Sequence, residues 1–446
     1  MSHSHPVSRR RLLGQATAVL AVGTLGTGTA AASAPSAAES VSALNRSALP
    51  LSDLQGLGRM VGDARVVGLG EASHSAHEFF TLKQRLFRRL VATKGFTTFV
   101  LEASWSTGLR LDAYVTRGSG DPARIMREEF QGQYVFWNTQ EYLDLIRWMR
   151  RYNTSHPGRP QLRFAGNDLG YAGPEAFAQV TDYLAVHRPD LAGRVSDLYA
   201  GLKPTAGTQA GAWMASQLGK DPSARRAEAD RADAALALLR DHGRPRTAGR
   251  DAERAHAWAV QNATAITQSF TGYAFPDDQF PERMRYRDRV MADNTAWWLR
   301  HEGGRILLAS NNGHVAYTSD NPKEFPEPTG AFLRARLGQD YVSIGLTFHR
   351  GTVNALPGFT AQRPRRYTVA PAPRGYNEHT LDRLRHRDFG IDLRTAPEAA
   401  RAWLATARPT RSYGLYWSTD DPDTALGLSY DILVHLHEVE AGHLLR

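Results

Sequence analysis

The sequence predicts an α/β fold: a mostly parallel central sheet covered by helices, with an inserted helical lobe. Three observations point there. Six short β-branched or aromatic runs end in polar residues. Helical patterns lie between them, and such alternation builds parallel sheets buried on both faces. Residues 173–302 then break the alternation with a series of helical patterns.

The elements follow in order. Ala64–Leu69 ends in Gly70 and delivers Glu71, His74, His77 and Glu78. Phe79, Leu82, Leu86 and Leu90 then recur at helical spacing. Thr97–Leu101 precedes Glu102, and Tyr142, Leu145, Ile146 and Met149 mark another helix. Leu162–Ala165 precedes Asn167-Asp168. In the lobe, Gly173-Pro174-Glu175 opens one helix and Asp221-Pro222 opens a second, running to Arg240. Asp251–Phe270 and Glu282–His301 are a third and fourth. The lobe forms the far wall of a cleft, or packs on the sheet as a bundle. Arg305–Ala309 precedes Asn311 and His314, Tyr341–Phe348 precedes His349, and Ser412–Trp417 is the sixth strand candidate. Residues 39–172 and 303–446 thus read as two parts of one α/β catalytic core, with 173–302 as the lobe between them.

Residues 1–38 read as a twin-arginine-type signal peptide and a small-residue linker. Ser8-Arg9-Arg10-Arg11-Leu12-Leu13-Gly14 supplies the paired arginines, and Ala32-Ser33-Ala34 offers a cleavage site. The apolar stretch Leu12–Leu25 is interrupted by Gly and Thr, a poor membrane span. The expectation is a secreted or extracytoplasmic protein with no stable membrane insertion after signal removal. A disordered basic N-terminus is the alternative.

At 446 residues the chain can bury one large core, or a core plus a second lobe. It has no cysteine, which excludes disulfides, thiolate metal sites and cysteine nucleophiles. The net charge is +9. The basic residues are nearly all arginine, scattered among Asp and Glu, and no basic helix face carries interleaved aromatics. No nucleic-acid partner is expected.

Ligands in parallel sheets bind beyond the carboxyl ends of the strands. Glu71, His74, Glu102, Asp168 and His314 all follow strand candidates on that side. His74 is the candidate base, since imidazole titrates near neutral pH. Glu71 or Glu102 is placed to hold its tautomer. A carboxylate such as Glu102, directly after an apolar run, is costly to bury unpaired, so a cation or imidazole should meet it. His314 lies in Ser310-Asn311-Asn312-Gly313-His314-Val315, where the polar pair and glycine suggest a tight turn. It serves as acid to the base of His74, or binds an oxyanion when protonated. Arg287 either reaches the cleft to contact a substrate carbonyl or belongs to a solvated helix face. Asp168 is a site residue or a turn cap. His77 is a site residue or the start of a solvated helix. No Gly-x-Ser-x-Gly elbow occurs, so a water nucleophile fits better than an acyl-enzyme. Glu71, His74, Glu102 and His314 also form a set able to hold a divalent cation, although no His-Glu-x-x-His helix is present.

Gly70-Glu71-Ala72-Ser73-His74, with Glu78-Phe79-Phe80, Lys83 and Leu101-Glu102-Ala103, resembles the erythromycin esterase family. The resemblance continues through Gly166-Asn167-Asp168, Arg287-Asp288-Arg289-Val290-Met291, His314-Val315-Ala316 and Thr329-Gly330-Ala331-Phe332-Leu333. It implies an α/β enzyme that hydrolyses an ester, often a macrolide lactone, with no serine nucleophile. It implies His74 as the water-activating base, with Glu71, Glu102 and His314 completing the cleft and Lys83 and Arg287 assisting. Ser75 departs from the pattern, which usually has glycine there. The expected protein is therefore a secreted hydrolase of a small-molecule ester or macrolactone, with no metal or other cofactor. Its catalytic residues are His74, Glu71, Glu102 and His314; Arg287, Lys83, His77 and Asp168 bind substrate. The rivals are a metallohydrolase using the same residues, and a natural-product tailoring (cyclisation) or binding protein.

Overall fold

Leu69, Ala309, Leu101 and Gly166 stand in one row across four parallel strands, and that row sets where the polar residues emerge. The computed structural model describes residues 36–445 apart from 53, 206, 246–248, 359–362 and 418–420. Its strands are β1 Leu49–Pro50, β2 Val66–Leu69, β3 Phe96–Ser104, β4 Arg163–Asp168, β5 Arg305–Ala309, β6 Tyr341–Ala355, β7 Arg365–Val369, β8 Phe389–Asp392, β9 Arg408–Pro409, β10 Asp423–Thr424 and β11 Ile432–Val439. Among the described residues, nine of them form one sheet in the order β1-β8-β11-β6-β2-β5-β3-β4, with β7 paired to β6; β9 and β10 pair separately. The run from β11 to β4 is parallel, while β8 and β7 pair antiparallel at its margins. The central strands β2 and β5 are apolar and buried on both faces, as a parallel sheet under helices requires.

The helix His77–Lys94 buries Phe79, Phe80, Leu82, Leu86, Phe87 and Leu90. It ends at Gly95, whose φ of 69° is the left-handed conformation that glycine adopts without strain. The helix Trp105–Arg117 lies so close to β4 that a side chain on Gly108 would overlap the Gly166 backbone. Between β4 and β5 the described residues form six helices: Pro174–His187, Pro189–Tyr199, Ala210–Leu218, Pro222–His242, Arg250–Ala274 and Phe280–His301. The four expected helical patterns are among them, and two shorter helices add to them. The last helix returns to the sheet. Asn167 at the end of β4 donates to Met291 O at 3.3 Å, and Asn294 donates back to Asn167 O at 3.0 Å.

Two expectations need correction. Ser412–Trp417 is not a strand; Tyr413 bridges Ser73 and Tyr416 bridges Leu356, each as an isolated pair. The sheet also takes in β1, β7, β8 and β11, which the sequence reading did not include. The expected signal and linker lie mostly outside the described residues. The end of that linker begins a helix, Ala37–Ser47, which Ser36 caps by accepting from Glu39 N. No helix among the described residues is long and apolar enough to cross a membrane.

Beyond β11 the chain crosses the loop that follows β2. His77 N donates to Glu440 O at 2.7 Å, and Gly442 N donates to Ser75 O at 3.3 Å. Gln140 N and Leu445 N fasten the same tail to residues 138–143.

Candidate active site

Glu71 emerges two residues beyond β2. A side chain on Gly70 would overlap Asn312 Oδ1, so this loop and the segment after β5 lie against each other. Asn312 N donates to Glu71 O at 3.0 Å. The Glu71 carboxylate is fully buried and has a partner on each oxygen. Oε1 faces His74 Nδ1 at 2.9 Å, and Oε2 pairs with the Lys83 ammonium. Lys83 is itself buried and also donates to Ser310 O at 3.3 Å. Such pairing answers the cost of burying either charge alone. A carboxylate oxygen facing Nδ1 favours the Nδ1–H tautomer of His74, which turns the Nε2 lone pair outward. The imidazole is wedged by aromatic rings: Trp137 meets it edge-on at 5.0 Å and Phe136 stacks at 6.1 Å.

Glu102 lies where the pairing of β3 with β4 shifts register between Leu101 and Ser104. Its Oε1 accepts from Arg287 Nη2 at 2.8 Å and lies 3.3 Å from His314 Nε2. Its Oε2 accepts from Ser310 Oγ at 2.7 Å and Asn311 N at 3.1 Å. Burial alone would raise this carboxyl, but His314, Arg287 and His74 hold it well below its usual range. Arg287 grips Asp168 through Nε, 3.0 Å from both oxygens, and through Nη2 at 2.5 Å. Burial opposes the guanidinium charge, and Asp168 and Glu102 outweigh it.

His314 sits in a single-turn helix, Asn312–Val315, capped by the Asn311 side chain. The tight turn expected at Gly313 is this helix start. His314 Nδ1 donates to Asp288 Oδ1 at 2.6 Å. The same oxygen accepts from Thr329 N and Oγ1, both at 2.8 Å. Burial disfavours a charged imidazole, yet Asp288 and Glu102 raise His314 to about 10. It is therefore an imidazolium at neutral pH. Its Nε2 also lies 3.2 Å from Arg287 Nη1. Both side chains converge on the same Glu102 oxygen.

Ser310 joins the two halves. Its carbonyl receives Lys83 and its hydroxyl reaches Glu102. The structure thus brings Glu71, His74 and Lys83 together on one side, and Glu102, Asp168, Arg287 and His314 on the other. Lys83 and Asp168, expected to touch substrate, are buried and committed to Glu71 and Arg287, so they position other groups. His77 lies elsewhere: its ring bonds Glu141, because the start of the helix His77–Lys94 turns it away from His74. Asp288, Ser310 and Trp137 are site residues that sequence reasoning missed. Asp288 adjoins Arg287 within the resembling stretch, which was the available signal; Trp137 gave none. The carboxylates that a metal would need are already occupied by two fixed cations, Lys83 and Arg287.

A family model described as erythromycin esterase matches residues 91–439. The chain belongs to the erythromycin esterase family. An "Erythromycin esterase type II" from Escherichia coli is 24% identical over 325 residues, which cover 68% of this chain and 74% of that protein. A crystal structure titled as a succinoglycan biosynthesis protein is 27% identical, covers 94% of this chain and 100% of its own, and superposes with a TM-score of 0.79. A histidine-to-asparagine mutant of the erythromycin esterase EreC, in its open conformation, shares the fold. It is 20% identical with a TM-score of 0.66, covering 88% of this chain and 96% of its own. This erythromycin esterase family member is an esterase-like hydrolase built on a mixed, mostly parallel sheet flanked by helices. At the departure from the family pattern, the Ser75 hydroxyl accepts from Asn354 Nδ2 at 2.8 Å. It ties the His74 loop to β6, and so strengthens the loop rather than opening it.

Proposed function

We propose that this family member hydrolyses a carboxylic ester or macrolactone with water, and that His74 is the base. The observation that carries the reading is the chain Lys83–Glu71–His74, which fixes the imidazole with Nε2 as acceptor. Nε2 takes a proton from water as its oxygen adds to the carbonyl carbon. The resulting oxyanion is stabilised by the Arg287 and His314 cations. Collapse breaks the bond to the alcohol oxygen, which takes the proton back from His74, so no net proton is gained or lost by the protein.

The twin-arginine-like segment Ser8–Gly14 supports a further part of the proposal, that the enzyme works outside the cytoplasm. Mass measurement of the protein in culture supernatant should show a start near Ala34; a chain that stays in the cell with Arg9–Arg11 intact overturns it. The relative titled for succinoglycan biosynthesis favours a second reading, a biosynthetic tailoring role.

The test is His74→Asn against a panel of macrolactones, aryl esters and acylated oligosaccharides, read by mass spectrometry for added water. Loss of a general base lowers turnover by about 10²–10⁴-fold. A folded variant with full turnover refutes the base assignment. Cleavage of acylated oligosaccharides alone decides for the second reading.

A further inference from the structure

We propose that His77, Glu141 and His443 bind one divalent transition-metal ion of the zinc class, at a site apart from the catalytic cluster. The three come from separate parts of the chain: the start of the helix His77–Lys94, the start of the helix Gln140–Ser155 and the tail beyond β11. Both imidazoles present the same atom to the same oxygen. His77 Nδ1 and His443 Nδ1 each lie 2.7 Å from Glu141 Oε1. All three donor atoms lie within 4.8 Å of one another.

A tetrahedral zinc ion with bonds of about 2.0–2.2 Å needs donors roughly 3.3–3.5 Å apart. Small ring rotations reach that spacing. The rings have room for it, since the side chains of His77 and His443 are 35% and 59% exposed while Glu141 is buried. The exposure also gives the ion an entry path and leaves its fourth position to water. Two imidazoles and a carboxylate suit zinc and its neighbours better than calcium or magnesium.

Two helix N-termini meet here and disfavour a cation, and the Glu141 carboxylate is the anion that faces both imidazoles. Glu440 N donates to Glu78 Oε2 at 2.7 Å, and His77 N donates to Glu440 O. His443 N also donates to both Glu141 oxygens, at 3.2 Å and 3.3 Å, and so holds the carboxylate in place. The bound ion clamps the tail to both helices beside the His74 loop.

Zinc chloride titration of the full chain, purified without an affinity tag, tests the site by calorimetry. His443→Ala is the primary variant, because that side chain is mostly exposed and its loss leaves the fold intact. Glu141→Gln is the second. His3 and His5 remain in both variants, so zinc held by them persists and is recognised as such. The expected result is one zinc per chain in the wild type, binding at least tenfold weaker in His443→Ala and lost in Glu141→Gln. Zinc should raise the melting temperature of the wild type and leave that of His443→Ala unchanged. Equal affinity in the wild type and His443→Ala, or no binding by the wild type, overturns the proposal.

Discussion

His314 and Asp288 meet at 2.6 Å, Nδ1 to Oδ1, and the contact favours the imidazolium form of His314. Asp288 is fixed in turn by Thr329, through one backbone and one hydroxyl donor to the same oxygen. A histidine that looks like a second acid–base group is thereby favoured as a cation.

Asp288→Asn should bring that charge into the working pH range. His314 is raised, so the stability from charging it is present in full below about pH 6.5 and is lost as pH rises through about 10. Without the Asp288 anion the loss comes at lower pH. Rates measured from pH 6 to 10 should show the alkaline decline moved down by about one unit or more. An unchanged profile removes His314 from the oxyanion role.

Lys83→Met should destabilise the fold and not merely slow it. The substitution strands a fully buried Glu71 without its cation, a loss of about 3–5 kcal/mol. Urea unfolding reads this directly. A midpoint equal to that of the wild type means that Glu71 needs no neutralising partner.

Ser310→Ala removes a donor from the buried Glu102 carboxylate and leaves the carbonyl to Lys83 in place. A hydrogen bond to a charged group contributes about 1.5–3 kcal/mol. The variant should lose stability in that range. Its turnover should fall while its KM changes little, because Ser310 orients charge and does not hold substrate. A raised KM at constant turnover would place the hydroxyl against the substrate instead.

Gly70→Ala probes the approach of the two strand-end segments. The added methyl collides with Asn312, whose side chain also spans to the backbone of Leu346 at both ends. Forcing a methyl into packed space costs about 1–3 kcal/mol. The melting temperature should drop, and activity with it; a neutral substitution would show that the loop can back away.

The order of the central elements was legible because apolar runs bounded by polar residues carry their own signal. Val66–Leu69 and Arg305–Ala309 are read almost residue for residue. Glu71, His74 and His314 follow the ends of β2 and β5, whereas Glu102 lies inside β3, at its register shift. Ile432–Val439 was harder, since His435, His437 and Glu438 interrupt its apolar pattern, and β1 and β8 are too short to show a period. Ser412–Trp417 alternates like a strand but makes only isolated bridges. The partners Asp288 and Trp137 depend on where the helix Phe280–His301 and the segment 132–137 land on the sheet. No local pattern encodes that landing. The same limit applies to His77, three residues from His74 and yet engaged with Glu141.

The strap formed by residues 440–445 has a consequence for the order in which the enzyme matures. Glu440 reaches back 362 positions to Glu78, so the loop that carries His74 is secured by residues made long after it. On the ribosome, the buried Lys83–Glu71 pair joins residues 12 positions apart and can form before residues 440–445 are made. The loop that carries His74 therefore gains these bonds late in synthesis, and cutting the chain before Glu440 should leave a folded protein of lowered activity.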